Sequence, residues 1–141
     1  LERSPYVILD GAHNQDSAQV LVTTLKDFFP KARVQWIYGA SNDKDIRGMF
    51  GELLAYSPAM ILTRSRHPRA ADPGPLASIA GEFGVEPLIA ANEQAALAQA
   101  RARMRAGEFD VTVITGSLFI VADARGMILQ EHGIAVETDQ A

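Results

Sequence analysis

The residues best suited to chemistry gather in two short strings, each following an apolar run. Asp10-Gly11-Ala12-His13-Asn14 comes after Tyr6-Val7-Ile8-Leu9, and Thr115-Gly116-Ser117-Leu118-Phe119 ends Val111-Thr112-Val113-Ile114. In the first string, Gly11 permits a tight turn or a close approach of backbone to ligand. A helix starting just beyond it would point unpaired N–H groups at an anion. Asp10 could accept hydrogen bonds from two adjacent hydroxyls, as on a ribose, and His13 adds a donor or a titratable group. A turn glycine, an Asx cap and a surface histidine account for the same residues without function. In the second string, Gly116 and Ser117 combine close backbone approach with a small hydroxyl suited to a carboxylate. An N-cap serine is the competing explanation.

Other polar clusters are weaker. Lys44, within Asp43-Lys44-Asp45, could meet an anion, although solvated charge clusters are common. Arg64, Arg66, His67 and Arg69 make a basic loop able to attract an acidic substrate, or simply an exposed flexible one. Arg101, Arg103 and Arg105 suit the solvent side and last turn of a helix. No histidine pairs with another at metal-ligand spacing. The chain lacks G-x-x-x-x-G-K-[ST] and G-x-G-x-x-G, so it encodes no self-contained nucleotide site. It also lacks G-x-S-x-G, which discounts Ser117, His13 and Asp10 as a hydrolase triad.

Alternating elements must position these strings. Residues 6–9, 34–38, 60–63 and 111–115 read as strands, and residues 85–89 as an edge strand because of Pro87. Between them, Ala18, Leu21, Val22, Leu25 and Phe28 recur at helical spacing behind a candidate Asn14 cap. Ile46, Met49, Phe50, Leu53 and Leu54 mark a second helix, residues 76–83 a short third and residues 92–106 the clearest of all. Residues 64–75, with three prolines, read as a long loop, and residues 134–136 as a short strand. Alternation of this kind predicts an α/β fold: a Rossmann-like open, mostly parallel sheet flanked by helices. In such sheets ligands collect at the carboxyl ends of strands, where both strings fall.

Composition sets the outer bounds. The chain has 141 residues, which favours a single domain over residues 1–141. Apolar residues make up 48%, so wholesale disorder is excluded. Thirteen Lys and Arg against 17 Asp and Glu argue against nonspecific nucleic-acid binding. The longest charge-free apolar stretch, residues 111–122, falls short of the roughly 20 residues of a membrane span. Cysteine is absent, which removes disulfides and thiol catalysis. The first residues are Leu1-Glu2-Arg3, with no initiator Met, so a piece of a longer protein is expected.

Taken in order, Leu9 to Asn14, then Gly39 with Asp43-Lys44-Asp45, then Thr115 to Arg125 resemble the C-terminal domain of folylpolyglutamate synthase/dihydrofolate synthase, within the Mur ligase superfamily. The resemblance covers nearly the whole chain and is specific when both strings are taken together. It implies an ATP-dependent ligase that adds L-glutamate to folate or dihydropteroate through an acyl phosphate. It places the phosphate loop and magnesium ligands in an N-terminal ATPase domain outside this chain, leaving this part inactive alone and the enzyme cytoplasmic. By the same resemblance Asp10 and Gly11 face the nucleotide, while His13, Asn14, Ser117 and Phe119 meet the glutamate. His13 and Lys44 would be the catalytic pair, Lys44 through a lysine that faces the reaction centre in related Mur ligases.

Three departures from the family pattern stand out. Gln15 replaces a frequent Pro, Phe119 lacks the hydroxyl of a frequent aromatic alcohol, and the Gly-Arg motif expected before Leu1 is not in this chain. Two other readings stay open. One is another Mur-type ligase, making a cell-wall peptide or cyanophycin, against which the Ala-His-Asn string favours the folate branch. The other is a non-catalytic Rossmann-like module binding a nucleotide or a partner.

Overall fold

Strand and helix alternate along residues 6–41 and 45–131, the part of the chain that the computed structural model describes. The order is β1 (Tyr6–Leu9), α1 (Gln15–Phe28), β2 (Val34–Tyr38), α2 (Ile46–Tyr56), β3 (Met60–Leu62), α3 (Pro73–Glu82), β4 (Leu88–Ile89), α4 (Glu93–Arg105), β5 (Val111–Thr115) and α5 (Leu118–Glu131). The strand expected at residues 134–136 lies outside the described residues.

The strands form one sheet in the order β1-β5-β2-β3-β4. Every pairing is parallel, with Tyr6 opposite Val111, Trp36 opposite Val113 and Met60 opposite Trp36. This is the α/β, Rossmann-like parallel architecture expected from the alternation. Because side chains alternate along a strand, each strand feeds two cores. Val34, Trp36, Tyr38, Val111 and Val113 pack under α1, α2 and α3. Ile37, Ile61 and Ile114 pack under α4 and α5 on the other face.

The buried polar groups of the central strands are mostly tied down. Trp36 Nε1 donates to the Ser57 carbonyl at 3.0 Å, and the Tyr38 hydroxyl to Met49 Sδ at 3.3 Å. Gln35 Nε2 donates to Ala100 O and Thr112 Oγ1, both at 2.9 Å, fastening β2 to β5 and α4. At the opposite, amino edge, the Arg33 guanidinium donates to Asp110 and to the Gly107 carbonyl.

Three local expectations need correction. α3 starts at Pro73, inside the segment read as a loop, because Pro is tolerated in a first helical turn, where its missing N–H has no partner to lose. β4 shrinks to two residues, since Pro87 cannot donate to a ladder, but it does lie at the sheet edge. Phe28 is 75% exposed rather than on the buried face of α1. The next ring, Phe29, packs against the core instead and lies 5.2 Å from Tyr6.

Candidate functional site

Strand order decides where the two strings lie. β1 and β5 are neighbours, so residues about a hundred apart in sequence leave the sheet side by side at its carboxyl edge. The chain turns from β1 into α1 on one face and from β5 into α5 on the other, while β2, on the far side of β5, sends α2 back to the first face. β5 therefore lies at a switch in helix sidedness, where crevices open beyond the strand ends.

Glycines let these ends approach. Gly116 has φ +120°, and a Cβ there would run into the Gly39 carbonyl. A Cβ on Gly11 would lie 2.8 Å from Leu118 Cδ2, so the first string rests directly on the start of α5. Asp10 N donates to Ile114 O at 3.0 Å, and Thr115 Oγ1 donates to Ala12 O at 3.5 Å, which bonds the two junctions together.

Within the first junction, Asp10 Oδ1 accepts from Ala12 N at 2.9 Å, closing a turn around Gly11. His13 is exposed, and its Nδ1 lies 3.0 Å from the Gly11 carbonyl. A carbonyl only accepts, so Nδ1 donates to it, which leaves Nε2 as the ring nitrogen available to a ligand. Asn14 caps α1: its side chain accepts from Ser17 N at 2.8 Å, while Ser17 Oγ accepts from Asn14 N and His13 N. Gln15 holds the first helical position and donates to Glu52 on α2, a link that a Pro there could not make.

The second junction behaves differently. Ser117 is only 2% exposed, and its hydroxyl accepts from Ile120 N at 3.2 Å, so it caps α5. The side chains presented outward are Leu118, 68% exposed, and Phe119, 42% exposed. Lys44 lies outside the described residues. The neighbouring Asp45 caps α2, accepting from Gly48 N at 3.1 Å.

The profile of the Mur ligase, glutamate ligase domain matches residues 1–118. The chain belongs to the Mur ligase glutamate-ligase domain family. A probable bifunctional folylpolyglutamate synthase/dihydropteroate synthase of Haloferax volcanii is 36% identical over 86% of this chain and 14% of its own length. Folylpolyglutamate synthase of Mycobacterium tuberculosis, solved with ADP and AMPPCP, superposes with a TM-score of 0.79 at 32% identity, over 86% of this chain and 29% of that one. A bifunctional folylpolyglutamate synthase/dihydrofolate synthase of Yersinia pestis, complexed with AMPPNP and Mn, gives 0.74 at 26% identity, over 91% and 30%. The chain thus spans less than a third of these relatives.

In this Mur ligase domain, the carboxyl edge holds two features whose arrangement the sequence did not show: the fixed course of the basic loop already noted, and a carboxyl pair. The first is the basic loop after β3, which is pinned along the edge. Ala71 N donates to Ala40 O at 2.7 Å, Arg66 N donates to Asp123 Oδ2 at 3.2 Å, and the His67 ring stacks on Phe119 with centroids 3.6 Å apart. The second is a carboxyl pair. Glu93, at the first position of α4, is buried beside Asp123 of α5, and burial followed by the hydrogen bond and charge of Asp123 pushes its carboxyl up to about 9. The nearby Arg66 opposes that shift. Among the described residues no group of three or more His, Cys, Asp or Glu could hold a metal ion, and no helix is long and apolar enough to cross a membrane.

Proposed function

We propose that this domain is the C-terminal part of a cytoplasmic, ATP-dependent ligase that adds L-glutamate to dihydropteroate or folate through an acyl phosphate. The observation that carries the reading is the side-by-side placement of the Asp10–Asn14 and Thr115–Phe119 junctions at the carboxyl edge, each tied to the other by hydrogen bonds. That edge is half a site. It offers a carboxylate and a helix start to a nucleotide at Asp10 and Gly11, and an imidazole nitrogen at His13. The ammonium of incoming glutamate must lose a proton before its nitrogen attacks an acyl carbon, and His13 Nε2 suits that ammonium. Asn14 and Ser117 spend their side-chain oxygens on helix caps, so they act by fixing the two turns, and Phe119 lines the glutamate side. Lys44 is assigned to the reaction centre with His13.

Magnesium and the ATP phosphates are assigned to the enzyme's own N-terminal ATPase domain. When bound there, the metal supplies charge neutralisation for phosphoryl transfer. Closure of the two domains would keep water from the acyl phosphate, and the C-terminal part alone is therefore inactive. The test uses the full-length protein carrying this domain. Asp10→Ala and His13→Ala should each lower kcat/KM for glutamate ligation about a hundredfold or more, with stability within about 1 kcal/mol of wild type. Wild-type rates from both variants, or ATP- and folate-dependent turnover by residues 1–141 alone, would refute it.

A further inference from the structure

We propose that Asp123 is a positioning residue of the ligase site: its carboxyl fastens the segment after β3 to α5, and Glu93 braces that carboxyl from the buried side. The proposal rests on the ligase reading for the reaction, while the tether itself does not. Residues 63–72 connect β3 to α3, and their two halves are held in different ways. The second half is fixed by backbone. Ala71 N donates to Ala40 O at 2.7 Å, and Ala70 forms an antiparallel bridge with Ser41, just beyond β2. The first half depends on side chains. Among the described residues, the hydrogen bond, ion pair and ring contact that residues 64–67 make outside the segment all go to Phe119 and Asp123 of α5. Asp123 Oδ2 accepts from Arg66 N at 3.2 Å, and the His67 ring lies on Phe119 with an interplanar angle of 19°. Phe119 and Asp123 are four residues apart, so they stand one turn apart on the same face of α5.

The acceptor matters here more than the ion pair. The Arg66 guanidinium is 87% exposed and 3.8 Å from Asp123 Oδ1, a long, solvated pair that holds little. The Arg66 backbone N–H has a fixed place in the chain, so its acceptor sets where the segment lies. Glu93 fixes that acceptor in turn. It occupies the first position of α4, is buried, and is hydrogen-bonded to Asp123. One carboxyl therefore joins three parts of the fold: α5, the start of α4 and the segment after β3. A ring stack alone tolerates sliding, and the Asp123 bond sets its register. Phe119 follows Leu118, which rests on Gly11, so the joint is continuous with the junction that carries Asp10 and His13.

The experiment compares Asp123→Ala, Asp123→Asn and Arg66→Gln with wild type in the full-length protein carrying this domain. Asn keeps an oxygen to accept from Arg66 N–H, Ala does not, and Arg66→Gln removes the guanidinium alone. Amide hydrogen exchange, read by mass spectrometry on peptides covering residues 63–72 with β5 peptides as reference, reports the tether independently of the reaction. We expect exchange in residues 64–67 to be about tenfold faster in Asp123→Ala and within about twofold of wild type in the other two, with β5 unchanged in all. The kcat/KM for glutamate ligation should fall about tenfold in Asp123→Ala and recover in Asp123→Asn, a rescue that loss of charge alone would not give. Unchanged exchange in Asp123→Ala, or an equal rise in Asp123→Asn, would overturn the tether. Faster exchange with ligation at the wild-type rate would overturn the positioning role. The expected exchange pattern in a protein whose wild type ligates nothing would refute the ligase reading and leave the tether standing.

Discussion

Glu93 is the residue whose replacement should reveal most about this fold. Its side chain is 6% exposed, sits beside the Asp123 carboxylate, and leaves Oε1 without a hydrogen-bond partner among the described residues. Its carboxyl is pushed from 4.5 to about 9, first by burial and then by Asp123. The folded-state value lies above the unfolded one. Between the two, the folded domain holds a proton that the unfolded chain lacks, so stability falls as pH rises. The slope is about 1.4 kcal/mol per pH unit, giving a loss of about 2.5 kcal/mol from pH 5 to pH 7. Glu93→Gln keeps an N–H donor for Asp123 and removes the ionisation. Urea unfolding of residues 1–141, wild type and Glu93→Gln, at pH 5, 7 and 8.5 isolates the effect, because every other titrating group is common to both. The variant should be close to wild type at pH 5 and more stable by a few kcal/mol at pH 7. A difference that stays the same at all three values would refute a protonated, buried Glu93.

Two further predictions concern the carboxyl edge. Gly116→Ala places a Cβ at φ +120° against the Gly39 carbonyl and should destabilise the domain by about 2–4 kcal/mol, whereas Gly126→Ala, in the middle of α5 with open space around it, should stabilise it by about 0.5–1 kcal/mol. Denaturant midpoints of the two variants on the same side of wild type would contradict the geometry. Ser117→Ala removes the oxygen that accepts from Ile120 N and should lower stability by about 1 kcal/mol, read from the thermal midpoint; an unchanged midpoint would mean the cap contributes nothing.

Much of the architecture was legible because it is local. The periods of residues 18–25 and 49–54, the cap at Asn14, and the apolar runs of β2 and β5 act within one element. What failed were places where tertiary packing decides between neighbours. Phe28 and Phe29 are equally apolar, and only the position of the Tyr6 ring selects the second. The site was half legible. Asp10, His13 and Ser117 stood out by type and position, but periodicity cannot say that β1 lies next to β5, and only the family resemblance joined the two strings. Neither pattern nor resemblance marked the loop of His67 as fixed, since its tethers to Ala40, Phe119 and Asp123 all come from distant segments.

The carboxyl pair and the pinned loop bear on each other. A domain selected for stability alone would carry an amide or an apolar side chain at position 93, because a buried acid costs stability at neutral pH. With Glu93 protonated, its O–H points to Asp123, whose carboxyl oxygens also accept from Arg66 N–H and face the Arg66 guanidinium. Asp123 in turn holds Arg66 next to His67, and His67 lies on Phe119 at the mouth of the site. Glu93, an acid that costs stability at neutral pH, thus stands behind the Asp123 contacts that, together with the His67–Phe119 stack, fix the basic loop to α5. Glu93→Gln should therefore separate two quantities: it raises stability at neutral pH, and it leaves the Arg66 tether, and with it the loop, in place.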